Sequence, residues 1–298
     1  MTEAEFIAAL RQLPLHPAAR ALADDTATIA GMVVTTDTLV EGVHFLEDDA
    51  PADVAWKLVA TNLSDLAAKG SMPIGLMLNY PLSGNDWDAA FLTGLEEVVR
   101  RHDAPLIGGD TVSLPPGAPR VLTVTAFGGG APAPPRSGAS AGDRLWVTGT
   151  IGDAGAGLRI AQGEDGPAEL VARYRRPTPR LAEGRRLAAS AHAMMDVSDG
   201  LLIDAARMAA ASGLSVAIDL DAVPLSPAYS RWSGDRMAAA CAGDDYELLF
   251  ACAATFVPRI PATAIGRFSA GSGVTLTMGG ETVPLPPSLG FEHHGTAD

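Results

Sequence analysis

Acidic side chains recur where short apolar runs turn polar: Asp24-Asp25, Asp37, Asp65, Asp110, Asp196, Asp199 and Asp244-Asp245. The densest stretch is 35–45, TTDTLVEGVHF. Thr35, Thr36, Asp37 and Thr38 crowd hydroxyls around a carboxylate, and Glu41 and His44 follow. Hard oxygen donors of this kind suit a hydrated divalent cation. A single such acid is an ordinary turn residue. Several brought together would repel, and protons or cations must relieve the repulsion. Several Mg²⁺ ions would do so while also holding substrate phosphates. Two readings follow from the residues: phosphate chemistry run by metals and positioning, or a merely acidic surface.

The composition narrows these. The net charge is −14, from 35 acids and 21 bases, which excludes a general nucleic-acid binder. It leaves phosphate ligands open, because bound Mg²⁺ inverts the local field. Lys57 and Lys69 are the only lysines, and neither lies in GxxxxGK[ST], so there is no P-loop. Cys241 and Cys252 form no CxxC and fit free thiols in a reducing cytosol. No apolar run is long enough to span a bilayer. The opening residues MTEAEF lack a basic n-region. A cytoplasmic protein without membrane contact is expected.

The elements that must position these acids alternate in type. Residues 2–11 form a short helix, with Thr2 and Glu5 at capping-box spacing; 13–23 is loop. A strand from Met32 to Val34 leads into Asp37. Residues 53–69 have helical periodicity and place Asn62, Ser64 and Asp65 near the helix end. A buried strand (73–80), an amphipathic helix (86–102, with Phe91, Leu95 and Val98 on one side), a strand ending at Gly108-Gly109-Asp110 and a strand at 121–127 complete the first half. The Gly/Pro/Ala-rich stretch 128–141 marks a linker. The division expected is 1–138 and 139–298. The second half reads as strand 145–148, a Gly-rich turn 149–157 that lacks GxGxxG and opens a helix, helix 181–191, strand 194–197, helix 201–211, and strands 216–220 and 246–252. The class is mixed α/β.

Seven blocks occur in order: DDTA from Asp24, TTDTLVEGVHF, NLSDLAAKGSMP (62–73), GGDT (108–111), RSGASAGD (136–143), DVSDGL (196–201) and GDDYELLF (243–250). Together they resemble the thiamine-monophosphate kinases of the aminoimidazole-ribonucleotide-synthetase-like superfamily, from about residue 3 to the GFEHH of 290–294. The resemblance implies ATP-dependent conversion of thiamine monophosphate to thiamine diphosphate, by direct in-line transfer with several Mg²⁺ ions. It implies metal ligands at Asp25, Thr35, Thr36, Asp37, Asp65, Asp110, Asp196 and Asp199. Nucleotide contacts fall on Gly109, Asp110, Arg136 and Ser198, and thiamine contacts on His44, Asp244 and Phe291. Asp37, Asp65, Asp110 and Arg136 would carry the transfer. The implied fold has two α/β domains, the first closing a β-barrel with its twin in a homodimer.

The chain departs from that pattern in three places. Ala21-Leu22-Ala23 replaces a Gly-containing run before the acid pair, which puts the aim of Asp25 in question. Asp244 stands where a Glu is usual, leaving Glu247 as a rival thiamine contact. The last block reads GFEHHG. Rival functions are another ATP-using superfamily member, such as the purine-synthesis cyclo-ligase, or a non-catalytic dimer that binds divalent cations.

Overall fold

The computed structural model describes residues 2–130 and 132–293; His294 and the last residues of GFEHHG lie outside them. The first half builds one five-stranded sheet from β1 (Ala27–Ile29), β2 (Met32–Val40), β3 (Met72–Leu82), β4 (Leu106–Ser113) and β5 (Val121–Gly129), ordered β1-β2-β5-β3-β4. β3 and β4 are parallel and the other neighbours antiparallel. A parallel pair needs a crossover, and α3 (Asn85–His102) supplies it. With α2 (Pro51–Ala68) it covers one face of the sheet, burying Leu58, Leu63, Leu66, Phe91, Leu95 and Val98 against Leu76, Leu122 and Val124. The capping box of α1 (Glu3–Leu10) forms as its spacing requires.

Two strands run further than their apolar residues suggest. β2 does not stop at Val34 but continues through Thr35-Thr36-Asp37, paired with β5 out to Val40. Threonine is a strong strand former, so the triplet sits inside the strand. β4 likewise continues through Gly108-Gly109-Asp110 to Ser113, exposed at all eight positions. The 73–80 segment is buried on one face only: Ile74 and Met77 are exposed, as are Leu106, Ile107 and Val112 of β4.

The second half forms a seven-stranded mixed sheet from β6 (Arg144–Thr148), β7 (Ala193–Asp196), β8 (Leu214–Asp219), β9 (Leu248–Cys252), β10 (Ala262–Ala270), β11 (Gly273–Met278) and β12 (Glu281–Val283). Its order is β12-β11-β8-β10-β6-β9-β7, with only β8 and β11 parallel. Helices α4 (Asp153–Ala161), α5 (Ala168–Arg175), α6 (Leu181–Leu187), α7 (Leu201–Ala211), α8 (Pro227–Trp232) and α9 (Arg236–Cys241) complete it. Helix α2 is the hinge of the architecture. Fourteen of its 18 residues are buried, because it packs on the first sheet and also on α6 and β7. Ion pairs tie the halves beside it: Arg175 to Asp49 at 2.7 Å, and Arg176 to both Asp53 and Glu97. Among the described residues no helix is long and apolar enough to cross a membrane.

Candidate active site

Four elements deliver acids to one cleft of about 740 Å³. The period-two alternation of β2 puts Thr35 and Asp37 on the side of buried Val33 and Leu39. The last turns of α2 bring Asn62 and Asp65. The Asn62 carboxamide oxygen accepts the Asp37 backbone N–H at 3.1 Å, and the Thr35 hydroxyl donates to Asp65. β7 ends on Asp196, and the following turn presents Ser198 and Asp199. Asp204, in the first turn of α7, shapes that turn by accepting the N–H groups of Ser198, Asp199 and Gly200 at 3.1, 3.1 and 3.3 Å. Asp25 enters from the loop before β1. Asp25, Asp37, Asp65, Asp196, Ser198 and Asp199 all line the cleft.

These carboxylates differ in their electrostatics. Burial raises the pKa of Asp37 to about 6, with Asp25 and Asp199 adding to the shift. Burial, then Asp25, raises Asp196 to about 8. Asp65 is held well above the usual range by burial and by Asp37, Asp196 and Asp25. No lysine or arginine of the described residues forms an ion pair with these three. Asp25 behaves oppositely: burial pushes its pKa up, but Lys69 and Arg136 outweigh burial and lower it. The donors are all oxygen, matching Mg²⁺ in kind, and the unpaired charge calls for a cation. Among the described residues no three of these side chains already enclose one ion. Mutual repulsion keeps such acids apart, and Mg²⁺ typically takes only one or two carboxylates while water and phosphate fill its other positions.

Both lysines of the chain belong to this site, and reading the sequence for motifs missed them. They lie on α2 or at its C-terminal cap and are essentially inaccessible to solvent. The Lys57 ammonium donates to the His44 carbonyl at 2.9 Å and to Asp244 at 2.8 Å, and lies 4.1 Å from the Tyr174 ring centre. Lys69 pairs with Asp24 at 2.6 Å and Asp25 at 3.5 Å. The signal was available: two lysines in 298 residues, both in the helical stretch that carries Asp65.

The other end of the cleft is aromatic. The His44 Nδ1 accepts the Val40 N–H at 3.0 Å, which leaves the ring proton on Nε2. Burial, then His293, lowers the His44 pKa, so the ring is neutral at pH 7. His293 stands 5.4 Å from His44 and 4.9 Å from Phe291, centre to centre. The Phe291 N–H donates to the Asp199 carbonyl at 2.9 Å, drawing this segment across the cleft. Asp244 receives the Tyr246 hydroxyl at 3.0 Å. The rival Glu247 is elsewhere: it is buried, paired with Arg180 and bonded to Thr148 at 2.6 Å.

Not every expected residue converges. Thr36 lines the cleft, but its hydroxyl is engaged across the sheet with β5, at Thr125 and the Val124 carbonyl; Arg136, Gly109 and Asp110 are the residues that stand apart. Arg136 reaches the site only through its ion pair with Asp25. Gly109 and Asp110 lie on exposed β4, three strands from β2. Gly109 has a packing reason of its own: at φ 151° a Cβ would fall 1.9 Å from the Leu78 carbonyl oxygen. The Gly-rich turn before α4 is no phosphate loop, because Asp245 already accepts the Gly152 and Ala154 N–H groups at 2.7 and 3.2 Å. The loop before Asp25 adopts positive φ without glycine, at Arg20 (47°), Ala21 (54°) and Leu22 (51°). Arg11 clasps the carbonyls of Ala21 and Leu22 at 3.0 and 2.9 Å, offsetting a conformation that costs about 1 kcal/mol per residue.

Comparison with known proteins bears directly on this arrangement. The family "AIR synthase related protein" matches in both parts, its N-terminal domain over residues 23–130 and its C-terminal domain over 140–279. The thiamine-monophosphate kinase of Caulobacter vibrioides is 39% identical, covering 98% of this chain and 91% of its own. A solved structure of AaThiL complexed with AMPPCP and TMP superposes with a TM-score of 0.87 at 30% identity, over 98% of this chain and 97% of that one. The crystal structure of thiamine-monophosphate kinase from Stenotrophomonas maltophilia gives 0.76 at 38% identity, over 94% and 96%.

Proposed function

The chain belongs to the thiamine-monophosphate kinases of the AIR synthase related family, and we propose that the acidic cleft is where it transfers the terminal phosphoryl group of ATP to thiamine monophosphate, giving thiamine diphosphate and ADP. The observation that carries this assignment is the meeting, in one cleft, of Asp37, Asp65 and Asp196, which no lysine or arginine of the described residues pairs with, and of His44, Tyr246 and Phe291 beside Asp244. A phosphoryl donor and acceptor are both anions, and the first need is positive charge between them.

Asp37, Asp65, Asp196 and Asp199 are the residues that would hold Mg²⁺. When bound, the metal neutralises the phosphate oxygens and stabilises charge that moves during transfer. Thr35 steers Asp65 through its hydroxyl, and Asn62 fixes the backbone at Asp37. Ser198 sits on a turn stiffened by Asp204 and can offer its hydroxyl to nucleotide. Arg136 has the planar donor fork that suits phosphate oxygens, and Asp25 orients it. Thiamine carries a cationic thiazolium, which suits an acid and aromatic faces. Asp244, Phe291 and the Nε2–H of His44 form that subsite, with Tyr246 and Lys57 holding Asp244 in place.

Gly109 and Asp110 belong to this reading only in a homodimer. The bare apolar face of β3 and β4, with Ile74, Met77, Ile107 and Val112, is an edge and surface of the kind proteins cover. A second copy seated there would close the two five-stranded sheets into a barrel and bring β4 toward the neighbouring β2. The domains divide at 138/139, with dimerisation in 1–138 and the metal-holding acids drawn from both, Asp37 and Asp65 from the first and Asp196 and Asp199 from the second.

Incubation with ATP, Mg²⁺ and thiamine monophosphate tests the assignment. Thiamine diphosphate and ADP should form in equal amounts. Turnover of ATP with no thiamine diphosphate would move the chain toward another superfamily chemistry, and no turnover at all toward a binding role.

A further inference from the structure

We propose that the Lys69 ammonium is a built-in cation at the Asp24–Asp25 end of the site, occupying the place of a divalent ion there and confining metal to the Asp37–Asp65–Asp196 end. The inference deepens the metal-dependent reading above and rests on it.

The coordination of Lys69 carries the argument. Its ammonium group meets Asp24 Oδ1 at 2.6 Å, Asp25 Oδ2 at 3.5 Å and the Met194 carbonyl at 3.1 Å. Those three oxygens use all three donors of an ammonium group. Two carboxylates and a carbonyl are also the hard-oxygen set that a divalent cation would take. The side chain has no solvent exposure, so it is no snorkelling surface residue. A lysine persists at such depth only when it is paired and hydrogen-bonded.

The charge count agrees. Asp24 and Asp25 carry two negative charges and already face three cations: Arg20 and Lys69 on Asp24, Lys69 and Arg136 on Asp25. A further Mg²⁺ bonded to these two acids would set five positive charges against their two, although Asp25 also stands within electrostatic reach of Asp37, Asp65 and Asp196. Asp37, Asp65 and Asp196 form no ion pair with a lysine or arginine of the described residues. A metal ion entering the cleft therefore gains most at that end. The placement follows from the fold: Lys69 caps α2, four residues after Asp65, so one helix end serves both regions with opposite charge.

The test counts ions. Mn²⁺ binding is titrated by electron paramagnetic resonance on the full chain with a non-hydrolysable ATP analogue, for the unmodified protein and for Lys69→Met. Methionine keeps most of the apolar stem volume, Asp24 keeps Arg20 and Asp25 keeps Arg136, so the fold should survive. The expected result is one additional Mn²⁺ per chain in Lys69→Met, with an anomalous-scattering peak beside Asp25 in its crystals alone. Equal stoichiometry in the two proteins overturns the proposal. If Lys69→Met does not fold, Mn²⁺-soaked crystals of the unmodified protein decide: a Mn²⁺ bonded to Asp24 or Asp25 overturns it, and Mn²⁺ confined to Asp37, Asp65 and Asp196 supports it. Failure of either protein to bind Mn²⁺ overturns the metal-dependent reading itself, and this proposal with it.

Discussion

Replacing Lys57 by methionine should separate the two substrates. The ammonium makes a charge-assisted bond to Asp244 and another to the His44 carbonyl, and both partners line the cleft beside Phe291, where we propose that thiamine binds. Stranding one member of a buried ion pair costs about 3–5 kcal/mol. Asp244 keeps 30% of its side-chain exposure, so water recovers part of that, and about 2 kcal/mol of stability should be lost. The freed carboxylate and the loosened 40–45 turn also lose their aim. A loss of about 1.4 kcal/mol in substrate binding is a tenfold rise in KM for thiamine monophosphate. The KM for ATP should move less than twofold, because the acids at the nucleotide end keep their contacts. Adding Asp244→Asn to Lys57→Met should restore most of the stability, since no stranded charge remains, but not the substrate affinity. Steady-state kinetics with each substrate varied, alongside denaturant melts, reads all of this. An equal rise in both KM values, or an unchanged KM for thiamine monophosphate, would refute the placement of Lys57 at the thiamine end.

Glu247→Gln should lower stability by about 2 kcal/mol by weakening the buried pair with Arg180, yet leave both KM values alone; Asp244→Asn should do the reverse for thiamine monophosphate, and matched kinetics and melts distinguish them. Mg²⁺ should stabilise the protein more at pH 8 than at pH 5.5. Asp37 and Asp196 titrate at about 6 and about 8 in the fold against ~4 unfolded. Their protonated forms therefore favour the metal-free fold fully below about pH 4, and that support is lost as pH rises through 6 to 8. A metal displaces those protons, so equal Tm gains at both pH values would contradict the metal site. Ile107→Asp, on the exposed face of β4, should convert a dimer to a monomer by light scattering; a monomeric wild type at micromolar concentration would remove the dimer.

The parts of this molecule legible in the sequence are those set by local pattern. The capping box at Thr2–Glu5, the α2 periodicity and the α7 boundaries follow from side-chain spacing and appear in the fold. The blocks around Asp25, Asp37, Asp65, Asp196–Asp199 and Asp244 contain acids that line the cleft, whereas GGDT does not, because Asp110 lies on the exposed edge strand β4. Strand ends were misplaced where threonine and glycine carry the chain on, as in β2 and β4, since pairing with β5 and β3 is decided by neighbours distant in sequence. Of the strands that went unread after residue 252, β10 carries no regular alternation, its apolar residues Ile265 and Phe268 being spaced by three. By contrast, β11 does alternate Val274, Leu276 and Met278 with Thr and is legible as a strand. Lys57 and Lys69 were missed for a different reason. A lysine on a helix is ordinarily a solvated residue, and only the packing of the second half over α2 buries these two. Glu247 and Asp244 stand three residues apart, and only the backbone path, with φ 70° at Asp244 and 51° at Tyr246, sends one to the cleft and the other to Arg180.

The central claim, that unneutralised carboxylates in the cleft perform the transfer through the charge they bring together, is tested most directly at Asp65. It is the acid shared by the Thr35 hydroxyl and the repulsion of three neighbours. The measurement is kcat for thiamine diphosphate formation by Asp65→Asn at saturating ATP, thiamine monophosphate and Mg²⁺, with folding verified by a melt. Because charge stabilisation carries phosphoryl transfer, kcat should fall by at least ~100-fold with the protein still folded. Turnover within a few-fold of wild type would contradict the claim and place the chemistry outside this cluster.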